Sequence, residues 1–200
     1  MGTGETLQGL PVQPFATVGE WRDWLAAQPE DVRGLWVKFA RSGAGIASIT
    51  HAQALEEALR QGWIDGQVRR IDDRWWAQRF GPRTKRSRWS KVNREAAERL
   101  IDEGRMLPRG LREVERAKAD GRWDAAYAPP SRASVPNDLA AAFDAEPAAR
   151  EFFETLDSRN RYAVLHRIET AKRPETRARR IEQFVGMLTR GETLHPRGRA

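Results

Sequence analysis

The chain contains no cysteine among its 200 residues. That absence excludes disulfides, thiol nucleophiles, thiolate zinc sites and cysteine-ligated clusters, and it fits a reducing compartment. Histidine is scarce as well. His51, His166 and His195 lie far apart, with no HExxH or HxH spacing, so no metal site is expected. No GxSxG elbow occurs. The glycine-bearing stretch "SGAGIAS" (42–48) lacks the Lys-Ser/Thr of a phosphate loop and the spacing of a dinucleotide fingerprint, so no cofactor is expected. There is no apolar run of about twenty residues, hence no expected membrane span. The first residues, "MGTGETLQGLPVQPFA", lack the basic-then-apolar pattern of an export signal, and a cytoplasmic location is expected. Met1-Gly2 with Thr6 matches only the short myristoylation pattern.

Arginine, by contrast, is abundant. It supplies 30 of the 35 cations, against 28 carboxylates, for a net charge of +7. Codon bias in a GC-rich genome accounts for that ratio without any function. It accounts less well for the distribution. Residues 1–60 carry −2, residues 61–130 carry +6 and residues 131–200 carry +3, while Arg69–Arg94 alone carries +8. A local basic patch is expected there.

Thr17-Val18-Gly19-Glu20 reads as a capping box opening a helix with Trp21, Trp24 and Leu25 on one face. "GLWVKFAR" alternates like a strand. Thr50 and Gln53 cap a second helix, which Gly62 ends. Two strands follow, about 63–70 and 74–80, joined through Ile71-Asp72-Asp73. From Ser90 the pattern is helical. Gly104 and Gly121 close helices, Pro136, Pro147 and Pro174 mark helix starts, "WDAAYAPP" is a short turn broken by its proline pair, and Ile181, Phe184, Val185 and Leu188 form one stripe. The expected class is α+β, with a small antiparallel-type sheet and one or two helices in the N-terminal half and a helical bundle in the C-terminal half. The expected divisions are a flexible tail at 1–16, an α+β half at 17–89, a helical half at 90–191 that forms one compact unit with the first, and a tail at 192–200.

The blocks "EALRQGWIDG" (57–66), "FGPRTKRSRWSKVN" (80–93), "LIDEGRM" (100–106), "GRWDAAYAPP" (121–130), "NRYAVLHRIETAKRPETRARRIEQFVGML" (160–188) and "GETLHP" carry more than periodicity. In order and spacing, from about Trp21 to His195, the chain resembles the bacterial YdeI/OmpD-associated family, also labelled bacteriocin-protection proteins. Gly81 departs from the hydroxyl residue usual at that place. The resemblance implies an intracellular bacterial protein without an assigned reaction, and the label implies a role in bacteriocin or antimicrobial resistance.

The basic stretch supplies the candidate site. Arg79, Arg83, Lys85, Arg86, Arg88 and Lys91, with Trp89, Ser90 and Asn93, have the guanidiniums, planar rings and helix start that an anion needs. The bland alternative is that Trp89 is core and the arginines are solvated or paired with carboxylates. Trp63 and Asp65 support the site, Asp65 by orienting an arginine. Arg177 and Arg180 form a second basic face, within a cluster that includes Lys172, Arg173 and Arg179. The expected function is a non-enzymatic protein that binds an anionic partner: a nucleic acid, an acidic protein or a phosphorylated ligand. The alternative is an enzyme with Asp65 or Asp72 as base and arginines as substrate clamp. A third possibility is a structural interaction protein, for which an exposed apolar patch would be the sign. Nothing in the sequence sets the oligomeric state.

Overall fold

The computed structural model describes residues 5–128, 133–171 and 173–196. Met1-Gly2, the pair Pro129-Pro130 and Lys172, all singled out above, lie outside the described residues. The chain is α+β and divides into two compact units. The first comprises residues up to Trp89 together with Asn93–Ala126; the second comprises Ser90–Val92 and residues from Tyr127 onward.

In the first unit a hairpin of β1 (Thr6–Leu7) and β2 (Leu10–Pro14) leads into α1 (Val18–Ala26), β3 (Leu35–Ala40), α2 (His51–Arg60), β4 (Trp63–Arg70) and β5 (Trp75–Pro82). The strand order is β1-β2-β3-β5-β4. β2 runs parallel to β3, and the other neighbours are antiparallel. Two expectations are corrected here. Residues 6–14 are strands, not a flexible tail, and the sheet is mixed. Pro11 and Pro14 break the strand signal, yet proline is tolerated near a sheet edge, and β2 has only the two-residue β1 beyond it. Gln8 and Gly9, both at positive φ (52° and 72°), turn the hairpin.

α3 (Lys91–Asp102) and α4 (Pro108–Ala119) follow. Apart from residues 90–92 they group with the sheet, so the division falls near residue 127 rather than at 89/90. Trp89, Ala97, Leu100, Val114, Ala117 and Trp123 build a core with Leu59 of α2. Helices α1 and α2 cover one face of the sheet, where Trp21, Leu25, Ala54 and Ala58 meet Leu35, Val37, Phe39, Trp63 and Phe80. The caps form as expected. Thr17 accepts from the Glu20 amide, and Glu20 returns to the Ala16 amide at 2.9 Å. Thr50 and Gln53 close a full capping box.

The second unit packs α5 (Asn137–Ala145), α6 (Pro147–Glu154), α7 (Ser158–Glu169) and α8 (Pro174–Thr189) around Leu139, Phe153, Ile168 and the expected stripe of α8. The segment after α8 is anchored rather than frayed at His195. The side chain of Asn160, 1% exposed, accepts from the His195 amide at 2.9 Å and donates to its carbonyl at 3.2 Å.

One buried carboxylate links the helices of the first unit. Glu57 of α2 is 4% exposed. It accepts two hydrogen bonds from Arg22 of α1, at 3.1 and 2.9 Å, and one from Arg60 at 2.5 Å. Burial pushes its pKa up, but the two arginines together outweigh burial and hold it below the ordinary glutamate value. A folded-state pKa below the unfolded one stabilises the fold above the unfolded pKa. That stability is lost as pH falls through the folded value, in a window below about pH 4.3. Glu57→Gln is therefore expected to lower unfolding free energy by about 2–4 kcal/mol at pH 7 and to flatten the acid limb of the stability curve. Chemical denaturation at pH 7 and pH 3 measures both effects.

Candidate functional site

Two glycines bring α4 against the end of α2. Gly62, at φ +73°, ends α2, and a Cβ there would lie 2.9 Å from the Arg109 carbonyl. A Cβ on Gly110 would lie 2.5 Å from the Arg60 carbonyl and 2.5 Å from Met106 Sδ. Backbone meets backbone because neither residue has a side chain. The Arg60 carbonyl, beyond its reach in α2, accepts from the Leu107 amide at 3.2 Å. This docking sets one face of α4 beside the start of β4. Arg109, Arg112 and Arg116 lie on that face, at i, i+3 and i+7.

A cavity of about 220 Å³ results, lined by those three arginines, Trp63, Arg83, Glu30, Glu113 and the adjoining Gln61, Gly62 and Pro82. Four guanidiniums face two carboxylates. Trp63 is fully buried, and its indole N–H has no hydrogen-bond partner among the described residues. Glu113 is in the same position on one side: its Oε1 takes Arg116 at 2.8 Å, while Oε2 is buried with no partner. A buried polar atom left without a partner costs about 1–3 kcal/mol. Arg112 pairs with the exposed Glu30 at 2.9 Å, and Arg109 donates to the carbonyls of Gln28 and Pro29 at 3.1 and 3.3 Å. Each guanidinium has five N–H donors, and exposed ion pairs are weak, so the arginines retain capacity for an anion.

The expected site residues are placed as follows. Arg83 and Trp63 line this cavity. Arg83 is 4% exposed, its guanidinium lies 3.5 Å from the Trp89 ring centre, and it donates to the Arg88 carbonyl at 3.2 Å. Trp89 is core, packed edge-on to Trp123 at 4.8 Å. Lys85, Arg86 and Arg88 are exposed on a structured loop. Thr84 and Ser87 close the loop's turn, and Arg122 donates to the Ser87 carbonyl at 2.9 Å. Hydrogen bonds from Arg122 hold the Asp120 carboxyl below the usual aspartate range. Arg79 is exposed opposite Trp36, on the sheet face away from α1 and α2. Ser90, Lys91 and Asn93 lie at the entry of α3, where the Lys91 amide donates to Tyr127 at 2.8 Å. Arg177 and Arg180 belong to the second unit and close the end of α7. Arg177 donates to the Ile168 carbonyl at 3.0 Å and pairs with Asp138, whose hydrogen bond raises the arginine's pKa; Arg180 donates to the Arg167 carbonyl. The three arginines of α4 were not singled out from the sequence. Their spacing on one helical face was the available signal.

Asp65 does not orient an arginine. Its Oδ2 lies 3.2 Å from His51 Nε2 and accepts from Gln78 Nε2 at 2.5 Å. A bulge between Asp65 and Val68 interrupts the expected alternation of β4. Asp72 is a turn residue: Oδ1 accepts from the amides of Arg74 and Trp75 at 2.7 and 2.8 Å, and these bonds hold its pKa below the usual value.

These features define a chain with a mixed-sheet α+β unit, which carries the candidate site, and an all-helical unit. Residues 13–113 match the family model described as Domain of unknown function (DUF8412), and the chain belongs to that family. Residues 132–191 match the model described as Bacteriocin-protection, YdeI or OmpD-Associated. The expected resemblance is thus found within the second unit, while the cavity-bearing unit answers to the first description. No curated protein and no solved structure matches the chain.

The glycine contact generates a direct test. Gly110→Ala is expected to cost about 1–3 kcal/mol, because the carbonyls of Leu59 and Arg60 must move. The midpoint of urea unfolding measures it.

Proposed function

We propose that the first unit binds a small oxyanion of the phosphate class, free or as part of a phosphorylated metabolite, in the cavity between Trp63, Arg83 and α4. The observation that supports this most is the buried Trp63 N–H, left without a protein partner in a wall of arginines. A donor of that kind gains a full hydrogen bond from an anionic oxygen, and Arg112 and Arg116 add charge-assisted contacts. Glu113 Oε2 adds discrimination. It is an acceptor, so it favours an anion that carries a proton, as hydrogen phosphate does at neutral pH, and disfavours sulfate, which does not. The reading is a non-enzymatic binding module. The proposed setting is the cytoplasm, with bacteriocin protection, named in the second model's description, as the proposed physiological context.

Calorimetric titration with sodium phosphate and sodium sulfate tests the proposal. Phosphate is expected to bind, with sulfate at least about tenfold weaker and Glu113→Gln narrowing that gap. Arg112→Glu with Arg116→Glu is expected to weaken phosphate by about a hundredfold, from roughly 1.5 kcal/mol per charged contact. If neither anion binds, or if the double charge reversal changes nothing, the proposal fails. Binding of RNA lost in Arg86→Ala/Arg88→Ala but kept in the double reversal would move the function to the exposed loop.

A further inference from the structure

The second feature with chemical content is the His51–Asp65 pair, and it lies at the opposite end of α2 from the arginine cavity. His51 is the first residue of α2 and Asp65 lies on β4, so the fold rather than sequence spacing brings them together. Asp65 is itself held, by Gln78, which is 7% exposed and also reaches the Gly66 carbonyl at 3.3 Å. A carboxylate can only accept in this contact, so Nε2 carries the hydrogen, and in the neutral ring Nδ1 then carries the lone pair. The two nitrogens of an imidazole point to different sides of the ring. Nε2 is taken by Asp65 of the sheet, and no hydrogen bond to Nδ1 is found among the described residues.

His51 also borders a cleft of about 510 Å³, walled by Phe39, Trp76 and the loop 40–50. Trp76 is half-buried and stacks on Phe39, with ring centres 4.6 Å apart and planes 26° apart. The His51 ring sits 6.0 Å from Phe39 and 6.2 Å from Trp76. The loop carries Gly43 and Gly45, both at positive φ with open space around them, so its backbone groups are accessible from the cleft. An oriented acceptor nitrogen, an aromatic wall and a backbone-lined rim form a complementary surface for a flat ring that bears an N–H donor.

We propose that this cleft is a binding site for a planar nitrogen heterocycle of the nucleobase class. Trp76 provides the stacking wall, His51 Nδ1 accepts the ring's N–H, and Asp65 is a positioning residue acting through His51. The site is separate from the arginine cavity and does not depend on it.

The test uses the full chain and uncharged nucleosides, which carry no phosphate for the arginine cavity. Adenosine, guanosine, cytidine and uridine are titrated with tryptophan fluorescence and calorimetry as readouts. Guanosine or uridine, which carry a ring N–H at N1 and N3, is expected to bind; adenosine and cytidine, which lack one, and the analogue methylated at that N–H are expected to bind about tenfold or more weakly. Trp76→Ala is expected to lose about tenfold or more through stacking. His51→Phe, which keeps a ring in the aromatic cluster but removes the nitrogen, is expected to lose about tenfold. Nitrogen-15 spectra of the unliganded protein are expected to show His51 as the Nε2–H tautomer, and Asp65→Ala is expected to let the Nδ1–H tautomer appear beside it. Failure of both guanosine and uridine to bind, or equal binding of all four nucleosides, overturns the proposal. So does binding that is indifferent to His51→Phe, or an Nδ1–H tautomer in the unliganded protein.

Discussion

Glu57 is the constraint on which the first unit depends. A carboxylate buried to 4% exposure is tolerable only with close cationic partners, and Arg22 and Arg60 provide them from two elements. The pairing fixes α1 to α2 over the helix-covered face of the sheet and sets the position of α2 along it. Both candidate sites follow from that position. The N-terminus of α2 presents His51 to Asp65, and its C-terminus, through Gly62, delivers Trp63 to the arginines of α4. A helix of ten residues is roughly 15 Å long, so the two sites are held apart by a rigid spacer of known length.

The arginine excess resolves into several physical roles. Arg22 and Arg60 neutralise a buried carboxylate. Arg122 holds the basic loop through its carbonyls, and Arg177 and Arg180 satisfy the carbonyls at the end of α7. Arg83 is a core residue stacked on Trp89. What remains is a cavity where arginines converge with a buried donor and a buried acceptor that have no partners among the described residues. Net charge alone does not identify such a place.

Much of the fold was legible in the sequence because it is written in local chemistry. Thr17 and Thr50 announce helices through their side-chain oxygens, and Gly62, Gly104 and Gly121 end elements at positive φ. The first two strands were illegible for a physical reason: Pro11 and Pro14 suppress the strand pattern, and β2 is stabilised by pairing with a strand some twenty residues on. The basic loop was legible as charge, and two of the expected site residues, Arg83 and Trp63, line the cavity. The partners of Asp65 were not. His51 and Gln78 reach it through sheet register and a bulge, and no spacing rule records either. Arg109, Arg112 and Arg116 showed the right helical spacing, but a charged stripe on a helix is ordinarily a solvated face. Only the glycine-mediated approach of α4 to α2 turns it inward.

In the proposed function the Trp63 N–H donates to an anion. That contact is tested most directly by following the indole N–H resonances of the protein by nitrogen-15 NMR while phosphate is added. The account predicts that the Trp63 signal moves downfield and saturates, while the indole signal of Trp36, which already donates to the Leu7 carbonyl at 2.9 Å, stays in place. A Trp63 signal that remains unchanged at saturating phosphate would contradict it.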